Sequence, residues 1–269
     1  MPINSEGKVM TNLATALRFL NRSVRILLLS LLALTLLPGR ARAQVTWGSS
    51  VTVDSSGSWL RLVHLQDGSW LAAYAYTPSG SSNSEIEIQR SIDDMRTWSY
   101  VQTVSQSGRN LGNAQLTQLP NGAILLAMRS IVTGVSYRVQ IYSASSYNSP
   151  FSFLSVIDAN ENGSNDLGVW EPFLFVLPNG NIAAFYADEL HQSQGYNQLI
   201  GERLSTNNGA TWGSETIASG VTDGVSRPGE PYLTMMANGS YMLSTEDCPQ
   251  GGTCTSPGGY YKVSTDGVT

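Results

Sequence analysis

The chain has 269 residues, of which 13% are charged, and a formal net charge of −5. No cluster of Lys or Arg lies beyond the N-terminal segment, so the composition argues against a protein that binds nucleic acid. The 26 glycines and 11 prolines, with loops rich in Ser, Thr and Asn, are typical of an all-β protein with many short strands.

The N-terminal segment predicts a secretory signal. Arginines precede an apolar run at 26–38, and an A-x-A cleavage pattern ends at Ala43. We therefore expect residues 1–43 to be removed during export and residues 44–269 to form the mature domain. The location would be extracellular, or periplasmic in a Gram-negative cell. An uncleaved membrane anchor is the alternative, but the run is too short to span a bilayer comfortably.

A hairpin signal recurs four times along the chain. Each copy has an Asp-Gly or Asn-Gly turn between two apolar runs, which is the strongest short-range signal for a β-hairpin. The turn glycines are Gly68, Gly122, Gly180 and Gly239, which lie 54, 58 and 59 residues apart. Repeats of this length, each with about four short strands, predict the blades of a β-propeller.

A second motif follows the turn glycine by 21 to 25 residues. Its fuller copies are SIDDMRTW at 91–98 and STNNGATW at 205–212. The side chain of Asp93 or Asn207 is expected to accept hydrogen bonds from nearby backbone N–H groups and to hold a tight turn, a structural role. Two motifs in a fixed order favour a propeller over a β-sandwich. Because a six-bladed ring at this period needs roughly 340 residues, we expect a six-bladed β-propeller, C-terminally incomplete, with about four blades present.

The candidate catalytic residues occupy equivalent positions in the repeats. Nine residues before each turn glycine stands the head of the first strand of a blade. The four heads are Trp59, Asn113, Glu171 and Glu230. Since the innermost strands of a propeller line its central channel, the two glutamates are expected to face each other across one pocket. Two carboxylates facing across a pocket, one protonated and one ionised, can hydrolyse a glycosidic bond.

Aromatic and charged side chains near these heads are predicted to bind a substrate. The predicted set is Trp59, Arg109, Asn113, Trp170, Asp188, Arg227 and Asp247. Such a mixture suits a sugar, because aromatic faces pack on the ring and charged groups bond to hydroxyls. Trp170 is expected to raise the pKa of Glu171, the acid/base. Arg227 is expected to keep Glu230 ionised as the nucleophile. The alternative is that both glutamates pair with arginines for stability alone.

The cysteines and histidines are few. Cys248 and Cys254 are close together and, in an oxidising compartment, predict a local disulfide. With only His64 and His191, the chain is poorly supplied with metal ligands, so neither a metal site nor a cofactor is expected. His191 is interpreted as a loop residue.

These motifs resemble those of the sialidase-fold clan of glycoside hydrolases, whose Asp-box reads S-x-D-x-G-x-T-W. Sialidases carry an arginine-Ile-Pro motif on the first inner strand, where this chain has Ser58; Arg61 is offset by three residues and expected on the wrong face of the strand. WEPF at 170–173 and RPGEPY at 227–232 resemble instead the family 93 exo-α-1,5-L-arabinanases, six-bladed relatives in the same clan.

The resemblance to family 93 implies a retaining hydrolase whose two glutamates fall, by motif, on Glu171 and Glu230. Such enzymes release arabinobiose from the non-reducing end of linear arabinan. The chain is therefore expected to be a secreted monomer that acts on an oligo- or polysaccharide and, once its signal is cleaved, touches no membrane. Two alternatives stay open: a sialidase-like exo-glycosidase, and a propeller that binds carbohydrate or protein without catalysis.

Overall fold

The computed structural model describes residues 48–163, 167–248 and 258–268. These residues contain fifteen strands and one short 3-10 helix, joined by turns and loops. No helix among them is long and apolar enough to cross a membrane. The predicted signal at 1–43 lies outside these residues, as does Cys254. Both the signal and the Cys248–Cys254 disulfide therefore stay predictions.

The strands form four antiparallel sheets that follow one another along the chain. The first sheet holds β1 (Ser58–His64), β2 (Trp70–Tyr76), β3 (Glu85–Ser91) and β4 (Ser99–Val104). The second holds β5 (Asn110–Gln118), β6 (Ile124–Val132), β7 (Ser136–Ala144) and β8 (Ser152–Asn160). The third holds β9 (Val169–Val176), β10 (Ile182–Asp188), β11 (Leu199–Ser205) and β12 (Thr216–Ser219). The fourth holds β13 (Pro228–Met235), β14 (Tyr241–Asp247) and β15 (Gly258–Ser264).

Each sheet is a propeller blade. Strands that are consecutive in the chain are neighbours in the sheet, so every blade is a simple meander. The first strands β1, β5, β9 and β13 contact one another in succession and are therefore the innermost strands. The prediction of an all-β propeller with about four blades is confirmed.

The apolar core lies between the blades. Three buried clusters fill the successive interfaces, from the first blade to the fourth. The strand β10, with the almost continuously apolar sequence IAAFYAD, contributes to two of these interfaces. Ile182, Ala184 and Tyr186 pack towards the second blade, whereas Ala183 and Phe185 pack towards the fourth. Because both faces are buried, strand alternation produces no polar face.

The second sequence motif forms the expected turns. Oδ1 of Asp93 accepts a hydrogen bond from the backbone N–H of Thr97 at 2.9 Å, and Oδ1 of Asn207 accepts one from Thr211 at 2.9 Å. Trp212 then donates its indole N–H to Oγ of Ser155 in β8 at 3.1 Å. The turn of the third blade is thus tied to the outer strand of the second.

Gln115 joins the inner strands of the second and third blades. Its side-chain nitrogen donates to the carbonyl oxygen of Leu174 at 3.1 Å, and its side-chain oxygen accepts from the N–H of the same residue. Both residues are buried. The amide thus satisfies two backbone groups of a strand to which its own strand is not hydrogen-bonded.

Replacing this amide is expected to destabilise the propeller. In Gln115→Leu the backbone N–H and C=O of Leu174 lose their partners, and each buried unsatisfied group costs roughly 1–3 kcal/mol. The free energy of unfolding, measured by urea denaturation, should fall by at least that amount. The control is Gln192→Leu on the surface, which should change it by less than about 0.5 kcal/mol. Equal stabilities of the two variants would show that the amide bridge is dispensable.

Candidate active site

A β-bulge interrupts the innermost strand of every blade at the same position. In β9, Glu171 and Pro172 together stand opposite the single residue Tyr186 of β10. The corresponding pairs in the other blades are 59–60, 113–114 and 230–231. The four strand heads aligned in the sequence are therefore the first residues of four equivalent bulges.

The backbone at the first residue of each bulge is left-handed. The φ angle is 53° at Trp59, 47° at Asn113, 55° at Glu171 and 44° at Glu230. None of these residues is glycine, and a side chain in this region costs about 1–2 kcal/mol. Strain of this kind concentrates at binding and catalytic sites.

The bulges bring the two glutamates into contact. Oε2 of Glu171 accepts a hydrogen bond from the backbone N–H of Glu230 at 2.8 Å. Asn113, at the equivalent position in the second blade, donates its side-chain N–H to Oε1 of Glu230 at 3.4 Å. Three of the four strand heads therefore converge on one place, as their equivalence predicts.

The carboxyl group of Glu171 has an unusual acidity. Burial is the main cause that raises its pKa, from 4.5 to about 7, and the nearby carboxylates of Glu230 and Glu246 raise it further. The hydrogen bond from the N–H of Glu230 and the charge of Arg61 act in the opposite direction. At neutral pH this group is therefore protonated in a large fraction of molecules.

Glu230 forms an ion pair with Arg61, which lies across the channel in the first blade. The sequence-based expectation that Arg61 lies on the wrong face was wrong. It assumed unbroken strand alternation, but the bulge at 59–60 adds one residue and reverses the alternation beyond it.

The expectation that Arg227 pairs with Glu230 was also wrong. The guanidinium of Arg227 donates instead to Oε1 of Glu189 and to the side-chain oxygen of Gln198, each at 2.6 Å. Trp170, which was expected to bury Glu171, donates its indole N–H to Oε2 of Glu189 at 3.0 Å. Glu189 therefore holds both side chains; its position directly after β10 gave no signal of this role.

A second residue missed by the sequence is Arg129. Its Cζ lies 4.7 Å from the ring centroid of Trp59 and 5.9 Å from that of Trp170. Burial lowers the pKa of this guanidinium, and the charge of Glu171 raises it. Gly112 makes room for it, since a Cβ there would lie 2.5 Å from Nε of Arg129. The repeats did mark this position, because Arg129 lies seven residues after a turn glycine, as Glu246 does in the fourth blade.

The remaining predicted binding residues lie in different settings. Arg109 donates to the hydroxyl groups of Ser130 and Ser136, within its own blade, at 2.6 and 3.0 Å. Asp247 accepts the backbone N–H of Arg227 at 2.7 Å. Asp188 is 1% exposed, so it offers no surface to a sugar. The geometry thus gives no support to substrate contacts by Arg109 and Asp188.

A cavity of about 720 Å³ runs between the innermost strands of all four blades. Its wall includes Arg61, Gln115, Phe173, Glu230 and Tyr232. Glu171 is not part of this wall. The ion-paired glutamate therefore borders the channel, and the partly buried Glu171 contacts its backbone from the neighbouring blade.

Solved structures of several carbohydrate-active enzymes are similar to this chain. An α-L-arabinanase of Penicillium chrysogenum complexed with arabinobiose is 28% identical, with a TM-score of 0.68 over 78% of this chain and 63% of that one. The family 93 α-L-arabinofuranosidase of Fusarium graminearum is 22% identical, with a TM-score of 0.67 over 78% and 63%. An endo-arabinase of Bacteroides thetaiotaomicron is 14% identical, with a TM-score of 0.59 over 77% and 75%. No protein-family model and no curated protein sequence matches the chain.

The chain has the sialidase-type propeller fold of the family 93 enzymes. It spans about 63% of the length of the Penicillium and Fusarium proteins. The four blades described above correspond to that part of the fold.

The contact between the glutamates depends on Gly229. A Cβ at this position would lie 2.8 Å from Oε2 of Glu171, closer than such atoms approach. In Gly229→Ala the carboxyl group must shift, and we expect the hydrogen bond from the N–H of Glu230 to weaken. Since that bond lowers the pKa of Glu171, we expect the pKa to rise above its value of about 7. Carboxyl ¹³C NMR during a pH titration measures it.

The matched control is Gly259→Ala in β15, because a Cβ there has no atom within 4 Å among the described residues. This variant should leave the pKa of Glu171 unchanged. An unchanged pKa in Gly229→Ala as well would contradict the role of the close approach.

Proposed function

We propose that this chain is part of a secreted, family 93-like glycoside hydrolase that acts on linear arabinan. Glu171 is the general acid/base and Glu230 the nucleophile. The observation that carries the proposal is the hydrogen bond from the backbone N–H of Glu230, whose own carboxylate is ion-paired, to the carboxyl group of Glu171, whose pKa is raised to about 7. The relatives solved with arabinobiose support arabinan as the substrate class.

In the first step the carboxylate of Glu230 attacks the anomeric carbon, while Glu171 gives its proton to the departing glycosidic oxygen. Arg61 and Asn113 hold the attacking carboxylate in place. The sugar would pack near Trp59 and Trp170, whose rings flank Arg129.

The contact between the two glutamates also supplies the switch from acid to base. The negative charge of Glu230 is one of the causes that raise the pKa of Glu171. When Glu230 is esterified by the sugar it loses this charge, so the pKa of Glu171 falls. Glu171 is then ionised and can take a proton from the water that hydrolyses the ester. This cycle is that of a retaining mechanism, which uses a pair of carboxyl groups.

Secretion of the protein is part of the same proposal. It depends on the signal pattern that ends at Ala43 and on the nature of the substrate, a polymer that is degraded outside the cell.

Isosteric amides at the two positions are expected to abolish hydrolysis of linear arabinan. Glu171→Gln should lower kcat by about 10²–10⁴-fold, the usual contribution of a general acid/base, and Glu230→Gln by at least as much. An aryl arabinoside with a good leaving group separates the two roles. Its departure needs no proton, so Glu171→Gln should still release the aryl group, whereas Glu230→Gln should not.

The control is Glu161→Gln, which removes a surface partner of Arg138 and should keep full activity. Release of a reducing sugar and of the aryl group are the two measurements. If the wild-type chain binds arabino-oligosaccharides without hydrolysing them, and both Gln variants bind equally well, the propeller is a binding module instead.

The pH dependence of the reaction follows from the same pKa. Glu171 must be protonated in the free enzyme, so kcat/KM should fall above roughly pH 7, by about tenfold per unit. The folded protein should also lose stability as the pH rises from about 4.5 to about 7. The pKa of Glu171 is about 7 in the folded state against an ordinary 4.5, so the folded state binds more protons, and stability is lost as the pH rises through 7.

Glu171→Gln removes this titration, and its unfolding free energy should vary less between pH 4.5 and 8. Parallel stability curves for the wild type and this variant would show that Glu171 is not the group that titrates. That stability measurement does not depend on any activity of the chain.

A further inference from the structure

A second cluster of titratable side chains lies in the third blade, and the proposed hydrolysis does not use it. Asp188 ends β10, His191 follows it, and Glu215 directly precedes β12. Their ligand atoms all lie within 4.8 Å of one another. Nε2 of His191 is 2.7 Å from Oε2 of Glu215 and 3.4 Å from Oδ2 of Asp188.

One oxygen of Asp188 has no hydrogen-bond donor. The side chain is 1% exposed, and its Oδ1 accepts the backbone N–H of Leu190 at 2.6 Å. Oδ2 makes no hydrogen bond within the described part of the chain. It points towards Nε2 of His191, whose nearer contact is Glu215. A buried carboxylate oxygen that accepts no hydrogen bond is unfavourable, so its position indicates a ligand.

The charges around this oxygen do not balance. The hydroxyl group of Tyr186 hydrogen-bonds to the carboxylates of Asp158 and Glu215, and the carboxylate of Asp188 lies within 4.8 Å of that of Glu215. The one guanidinium in contact with the group is that of Arg203, which binds Oδ2 of Asp158 at 2.7 Å. Three carboxyl groups thus lie around one guanidinium, an excess of acidic groups of the kind that binds a divalent cation.

The surrounding residues hold the three side chains in position. The hydroxyl group of Tyr186 is 2.7 Å from Oε1 of Glu215, which leaves Oε2 directed at His191. The side-chain amide of Gln194 is 2.9 Å from Nδ1 of His191. Gly201 allows Glu215 to approach, because a Cβ there would lie 2.3 Å from its Oε1. Bonds of this kind orient the ligands in known metal sites.

We propose that Asp188, His191 and Glu215 bind a divalent transition-metal ion, with Zn²⁺ the best fit. Zn²⁺ takes three protein ligands of mixed imidazole and carboxylate type at about 2.0–2.2 Å, with water completing the tetrahedron. Nε2 of His191 is the ligand atom. Nδ1 then carries the proton, and the amide of Gln194 turns its oxygen towards it. The ion joins the end of β10 to the start of β12 and stabilises the third blade.

The test uses the full-length chain stripped with EDTA. Equilibrium dialysis against ZnCl₂, followed by measurement of metal content, should find about one Zn²⁺ per chain, and Zn²⁺ should raise Tm. Asp188→Asn and His191→Gln should each weaken the affinity at least about tenfold. His64→Gln is the matched control, since the other histidine of the chain stacks on Trp70 with ring centroids 4.6 Å apart. It should bind Zn²⁺ as the wild type does.

Two results would overturn the proposal. One is stoichiometric binding that both ligand variants retain, which would mean an adventitious ion only; the other is no Zn²⁺ binding by the wild type, which would leave a protonated His191 as the counter-charge. Dialysis against CaCl₂ tests the metal class, because tighter binding of Ca²⁺ than of Zn²⁺ would contradict a transition-metal site. Circular dichroism melts without metal verify folding, and Glu215→Gln replaces any variant that fails to fold.

Discussion

The left-handed bulge at the head of each innermost strand is the constraint on which the site depends. It places one extra residue in the strand, so the side chain at that point no longer follows the alternation that would bury it between blades. At Glu171 and Glu230 the bulge allows a carboxyl group of one blade to reach the backbone of the next. At Trp59 the bulge turns the side chain of Arg61 so that it reaches Glu230 on the opposite side of the channel.

The same geometry gives the two glutamates different surroundings. Glu171 lies against the backbone of Glu230, between its own blade and the next, and its partial burial there raises its pKa. Glu230 borders the channel and has a guanidinium and an amide as partners. Two identical side chains at equivalent positions thus have different partners because the blades beside them differ. That difference is what acid/base and nucleophile roles require.

The fold and the pair were predictable from the sequence, because a period of 54 to 59 residues places equivalent residues at equivalent points of a propeller. The nine-residue offset from the turn glycine found all four bulge residues. The partners of the pair were not predictable. Arg61 was assigned to the wrong face because a bulge cannot be read from alternating hydrophobicity. Arg227 was assigned to the nearest glutamate in the sequence, whereas its partner Glu189 is 38 residues away.

The cluster of Asp188, His191 and Glu215 was missed for a different reason. Glu215 lies 24 residues beyond His191, and the two meet only because β11 returns the chain alongside β10. No short motif marks such a group. The small number of histidines argued against a metal site, but a single imidazole with two carboxylates already supplies three ligands.

Because the four bulges are equivalent, comparing them distinguishes the features of the fold from the features of the proposed chemistry. Trp59 and Asn113 adopt the same left-handed backbone as the two glutamates, although neither can donate a proton or act as a nucleophile. The strain is therefore a property of every blade, and the stability of the propeller accommodates it whatever the side chain. Where a blade already directs its bulge residue towards a neighbouring blade, replacing that one residue is enough to place a functional group there. The proposed catalytic pair thus depends on side-chain identity at two of four equivalent positions, on a scaffold that the remaining blades share.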